Sequence, residues 1–158
     1  MARIDAKRGY GLGHSEGERL LWMGEPTLLK ATAEETNGAY ALAEVYANPG
    51  EVPLHTHRHE DEAFYVLEGE ITFEVGGETI EAGPGSFVFG PKGVPHRYTV
   101  TSPTARMLML FSPAGFEGFI RATSVPTDTL ERPAPDQIEI DWEQIAAAAA
   151  AYGGEMHE

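Results

Sequence analysis

The chain of 158 residues has no cysteine at all. Disulfides, thiolate metal sites and a cysteine nucleophile are therefore excluded. Long apolar runs are also missing. The opening stretch, "MARIDAKRGYGLGHSEGERLLW", is polar and glycine-rich. Neither a secretory leader nor a membrane span is expected there, and the expected location is the cytoplasm. Positive charge is scarce: 11 lysines and arginines stand against 25 acids, a formal net charge of −14. Such a surface repels nucleic acid phosphates and anionic membranes, so neither is an expected partner. A local basic pocket for an acidic small molecule is not ruled out by the average charge.

What the sequence has is an ordinary hydrophobic share, 42%, enough for one globular unit with a real core. Three regions follow from the pattern: a lead-in over residues 1–26, strands over 27–113, and an extension over 114–158. From Thr27 onward, turn residues cut the chain into about eight short strands with no helix between them, the pattern of an antiparallel sandwich or barrel. Asn37-Gly38 and Gly76-Gly77 are hairpin dipeptides. "AFYVLEGEITFEV" is one long strand or two with a bend at Gly69; Ile71, Phe73 and Val75 alternate with Thr72 and Glu74, which puts one face inward.

After Pro113 the character changes. "AGFEGFIRATS" predicts a short helix with Phe116, Phe119 and Ile120 on one side. Pro126–Pro135 reads as a linker. "IDWEQIAAAAAAYGG" predicts a helix packed outside the barrel, with Asp141 as N-cap, Gln144 three residues on, Ile140 and Ile145 as a hydrophobic staple, and Gly153 at the C-terminus.

The chemistry is concentrated in "HTHRHEDEAFYVLEGE". Residues two apart on a strand share a face, so His55 and His57 can aim their rings at one point. Glu62 has the wrong parity for the same strand, but the polar turn "RHED" allows it to open the next strand and face back. In "GSFVFGPKGVPHRY", glycine and proline force a turn just before His96. Three imidazoles and a carboxylate from three strands suit a divalent transition metal. Nickel, manganese, iron, cobalt, copper and zinc all remain candidates. Glu60 and Asp61 read as a charged turn, His59 as a solvated side chain or one that supports a ligand, and His14 and His157 as solvated terminal residues.

These two segments resemble the cupin motifs. The first, close to G-x5-H-x-H-x(3,4)-E-x6-G, is met by Gly50, His55, His57, Glu62 and Gly69, with the first gap one residue short. The second, G-x5-P-x-G-x2-H-x3-N, is met by Gly85, Pro91, Gly93 and His96, with Val100 in place of the asparagine. The resemblance implies an all-β fold, a double-stranded β-helix or jelly-roll barrel with short C-terminal helices. It implies metal ligation by His55, His57, Glu62 and His96, and a homodimer whose edge strands a partner covers. The form of the first motif and the C-terminal flank are similar to single-domain bacterial cupins related to quercetin 2,3-dioxygenases. That similarity implies a metal-dependent dioxygenase acting on a flavonol-like or other aromatic enol, with Glu62 as both ligand and general base. Two other readings stay open: an oxygen-independent isomerase, cyclase or dehydratase on a polyketide-like or sugar-like molecule, and a small-molecule binder without turnover. No candidate ligand lies beyond Asp136, so loss of that segment is expected to leave metal binding intact.

Overall fold

The computed structural model of the protein describes residues 8–157. The first seven residues of the expected lead-in lie outside that range. In chain order the strands are β1 (Glu18–Trp22), β2 (Glu25–Ala31), β3 (Ala41–Ala47), β4 (Gly50–Glu51), β5 (His55–His57), β6 (Asp61–Glu68), β7 (Ile71–Val75), β8 (Glu78–Ala82), β9 (Phe87–Gly90), β10 (His96–Val100), β11 (Ala105–Ser112), β12 (Ser124–Pro126) and β13 (Gly154–Met156). The helices are α1 (Ala33–Thr36), α2 (Glu117–Ala122) and α3 (Trp142–Ala151). No helix among the described residues is long and apolar enough to cross a membrane.

All pairings are antiparallel. One sheet runs β12-β1-β2-β3-β11-β6-β9 and the other β13-β5-β10-β7-β8, with β4 beside β10. This is a jelly-roll barrel with short helices. Gly69 carries the chain from β6 in the first sheet to β7 in the second, with φ of 88°. A Cβ there would lie 2.5 Å from the Thr104 carbonyl oxygen, so both backbone freedom and close approach require glycine. The core lies between the sheets and is built by alternation: Ala41, Ala43 and Val45 on β3 stand in register beside Phe111, Met109 and Met107 on β11, with Phe64 of β6 next to Met109. The small residues leave room for the large ones, as close packing demands.

Several expectations change. Strand structure begins at Glu18, inside the stretch read as a lead-in. Asn37-Gly38 does not close a hairpin. Thr32 and Glu35 form a capping box, the Thr32 N–H donating to Glu35 Oε2 at 2.9 Å, and Asn37 ends the resulting turn of helix in the left-handed region at φ 54°. The C-terminal extension is not purely helical, because β12 joins one sheet and β13 the other. The two helices themselves form where the sequence indicated. Asp141 Oδ1 accepts the Gln144 N–H at 3.1 Å. Ile140 and Ile145 both pack on the core, and Phe119 and Ile120 are buried on α2.

Candidate metal centre

Glu62 and His96 each occupy the first inward-facing position of their strand, at one end of the barrel, and β5 brings both His55 and His57 beside them. On β6 the inward series is Glu62, Phe64, Val66, and on β10 it is His96, Tyr98, Val100. Strand pairing sets His96 opposite His55. Period-two alternation alone therefore stacks a polar layer on an apolar one. His55, His57, Glu62 and His96 each offer one ligand atom, and these atoms lie within 4.8 Å of one another. Glu62 Oε2 is 3.0 Å from His57 Nε2 and 3.8 Å from His96 Nε2.

The other ring nitrogen of every histidine is already engaged. His55 Nδ1 lies 2.9 Å from the Pro53 carbonyl oxygen, His96 Nδ1 3.1 Å from that of Val94, and His57 Nδ1 2.9 Å from Glu60 Oε1. These partners only accept, so Nδ1 carries a proton and Nε2 is the atom left to ligate. The Nε2 atoms of His57 and His96 are buried and make no well-directed hydrogen bond, although Glu62 Oε2 lies 3.0 Å from the first. Buried polar atoms are seldom left so, and when they converge with a carboxylate they fit a divalent cation.

Electrostatics point the same way. Burial, then the neighbouring His96, pushes the His55 pKa down to about 4, which keeps that ring neutral. Burial would also lower His57, but the charge of Glu62 and the hydrogen bond donated to Glu60 outweigh it and raise His57 to about 9. Burial would raise Glu62, yet His57 and then His96 hold its carboxyl well below the usual carboxylate range. Without an ion His57 is therefore cationic and paired with Glu62, and a divalent cation entering the site would displace its Nε2 proton.

His55, His57 and Glu62 form one wall of a cavity of about 70 Å³ whose other walls are mostly apolar, among them Trp22, Met109, Phe111, Phe116 and Phe119, with Tyr98 and Glu155 as the polar exceptions. Among its lining residues there is no lysine or arginine. Trp142, 42% exposed, stands at its rim. Burial pushes the Tyr98 phenol, also in the wall, well above its ordinary pKa.

Two residues, Glu60 and His157, read differently from sequence, while His59 keeps its solvated reading. Glu60 is not a solvated turn residue: it is 3% exposed and orients His57. Its position three residues after a ligand was the available signal. His157 is not free in solvent, since its ring meets the Thr56 hydroxyl and its N–H donates to the Leu54 carbonyl at 2.8 Å. His59 is exposed and packs against Gly153, outside the ligand cluster. The segment beyond Asp136 supplies none of the four clustered ligands, yet Trp142, Ile145, Ala149 and β13 all line the cavity.

The family described as "Cupin domain" matches residues 43–112. Quercetin 2,3-dioxygenase of Bacillus subtilis (strain 168) is 30% identical over 118 residues, 74% of this chain and 35% of that protein. The chain therefore spans about a third of that relative's length. An uncharacterized protein of Streptomyces coelicolor is 34% identical over 76 residues, 48% of this chain and 68% of that protein. Among solved structures, the polyketide cyclase RemF from Streptomyces resistomycificus shares the fold, with a TM-score of 0.55 at 23% identity over 80% of this chain and 83% of that one.

Proposed function

We propose that this chain, which belongs to the cupin superfamily, is a metal-dependent dioxygenase acting on a flavonol-like or other aromatic enolic small molecule. The observation that carries the reading is the convergence of three histidines, protonated on Nδ1, and Glu62 against one apolar cavity. The similarity to a quercetin 2,3-dioxygenase supports the choice of reaction. His55, His57 and His96 would hold the ion through Nε2, with Glu62 as fourth ligand. A bound divalent metal supplies Lewis acidity toward an enolic oxygen and a meeting point with dioxygen. The chain's own residues do the rest. Phe116, Phe111 and Trp22 exclude water and receive a flat apolar ring. Glu60 fixes the His57 ring. Glu62 accepts the enol proton on a carboxylate oxygen, a transfer that requires hydrogen-bond reach and an ionised acid. The absence of any cation from the cavity wall disfavours a strongly anionic substrate.

The test is oxygen uptake with a flavonol by protein reloaded with nickel, manganese, iron, cobalt, copper or zinc. Stoichiometric uptake that stops on chelation is the expected result. Conversion of an enolic substrate without oxygen uptake would instead place the chain among oxygen-independent cupins. A tight complex without turnover would make it a binder.

We also propose that the active form is a homodimer formed through the outer face of the seven-stranded sheet. Register places Leu42, Leu110, Ala63 and Phe89 in one row across that face, and Leu108, Tyr65 and Phe87 in the next. Tyr65, Phe87 and Phe89 are 43%, 63% and 47% exposed. At 150–250 Å² per aromatic ring, those three alone present roughly 300 Å² of apolar surface. The leucines and the free edge of β9 extend the patch toward the ~800 Å² per partner of a stable interface. For a chain of net charge −14, these apolar rows are where a second copy can approach; the charges that border them, Glu44 and Glu68, are already paired with Arg106. Phe87→Asp should yield monomers by sedimentation velocity; a monomeric wild type would refute the proposal.

A further inference from the structure

Strand β5 carries two of the candidate ligands, yet the barrel holds it weakly. On one side it meets β10 through the single register pair His96↔His55, with the Gly93 N–H donating to the His57 carbonyl at 2.8 Å. On the other side β13 pairs with its whole length: Gly154 with His57, Glu155 with Thr56, Met156 with His55. The ladder continues past both ends, where the Arg58 N–H donates to the Gly153 carbonyl at 2.9 Å and the His157 N–H to the Leu54 carbonyl at 2.8 Å. The His157 ring adds a contact to the Thr56 hydroxyl.

β13 is in turn held by the arm that precedes it. Ile145 and Ala149 of α3 are buried in the core. The Tyr152 ring lies so close to Gly118 of α2 that a Cβ there would meet it, and a Cβ on Gly154 would lie 3.2 Å from that of Ala149. This same arm closes the cavity beside the ligands with Trp142, Ile145 and Met156. A cavity of about 70 Å³ is far below the several hundred Å³ typical of sites for drug-sized ligands. A multi-ring substrate therefore requires the arm to move, and moving the arm unpairs β5.

We propose that β13 is the positioning element for the ligand strand, so that docking of the C-terminal arm and metal binding through His55 and His57 stabilise one another. The proposal rests on the metal site assigned above. Linkage makes the coupling reciprocal: whatever factor arm docking adds to metal affinity, metal adds to arm docking. Opening the arm to admit substrate would then loosen two ligands at once, and closing it would restore them.

The test uses the full chain, zinc as probe, and two variants. Register puts the Glu155 N–H in the ladder toward Thr56, between the two flanking bonds. Glu155→Pro removes that donor, whereas Glu155→Ala removes the same exposed side chain and keeps it. Zinc affinity should fall at least tenfold in Glu155→Pro and stay near wild type in Glu155→Ala. Hydrogen exchange of the β5 amides should rise in the proline variant alone. In the wild type, stripping zinc should speed exchange in β13 and α3 while leaving β3 and β11 unchanged. Equal zinc affinity in the two variants, with β13 exchanging freely in the proline one, would overturn the proposal. So would β13 protection in the wild type that ignores zinc, which decides the matter if Glu155→Pro fails to fold. A wild type that takes up no zinc or other divalent ion would instead sink the metal reading; β5 exchange in the two variants would still judge the positioning role.

Discussion

Strands β11 and β5 sit in opposite sheets of one barrel and are held in opposite ways. β11 is paired along its full length on both edges, with β3 and with β6, and its inward residues Met107, Met109 and Phe111 are fully buried. β5 is short, meets β10 at a single register pair, and depends on the last few residues of the chain for its other edge. The difference is one between scaffold and site. Packing fixes the first, and its loss costs stability. Capping hydrogen bonds, a late strand and an expected ion fix the second, and its loss costs function.

That contrast can be broken or sharpened experimentally. The largest effect belongs to the scaffold. Phe64 is 1% exposed and packs on Phe73 and Tyr98, so Phe64→Ala should lower unfolding free energy by about 3–5 kcal/mol in chemical denaturation. A loss below about 1 kcal/mol would mean the barrel is not held by packing in the way described.

Next comes Glu62→Gln, which keeps size and one ligating oxygen but removes charge and basicity. Three histidines should retain much of the metal, while turnover falls by roughly a hundredfold, the scale of removing a general base. Metal content and steady-state rate belong on the same preparation; near-normal turnover in metal-loaded variant would end the base role.

Glu60→Ala should cost about tenfold in zinc affinity, because His57 loses the acceptor that sets its tautomer. Thermal stability at saturating zinc should change little. An unchanged affinity would show that the His57–Glu60 bond is packing alone.

The smallest effect lies outside the ligand cluster. Burial raises the Glu25 pKa to about 7, despite an opposing hydrogen bond from the Asn48 N–H and the charge of Arg132. A carboxyl whose folded pKa exceeds its unfolded value of 4.5 favours the fold while protonated in both states. That contribution is lost as pH rises from the unfolded value through about 7. Glu25→Gln should therefore gain on the wild type between pH 6 and pH 7, by about 1 kcal/mol in urea unfolding. A constant difference across that range would contradict the burial of Glu25.

The four candidate ligands were legible because strand parity and turn residues act locally: His55 and His57 share a face, "RHED" turns the chain, and glycine and proline place His96. The barrel was legible from alternation and punctuation. What escaped depends on distant partners. Glu60 looks like any turn acid until α2 and its Phe116 cover the neighbouring His57 ring. β13 is too short to carry a pattern, and Gly153-Gly154 reads as a helix stop; only pairing with β5, nearly a hundred residues away, makes it a strand. The Asn37-Gly38 hairpin failed for a local reason, since the capping box at Thr32 and Glu35 outweighs a turn dipeptide whose flanks are not both strands.

Elemental analysis of the purified wild type and of His96→Ala, after both are offered the same divalent metals and desalted, tests the central claim most directly. The account predicts one transition-metal ion per wild-type chain and none retained by the variant, with both proteins folded. A folded wild type that holds no divalent metal, or a variant that holds as much as the wild type, would contradict it.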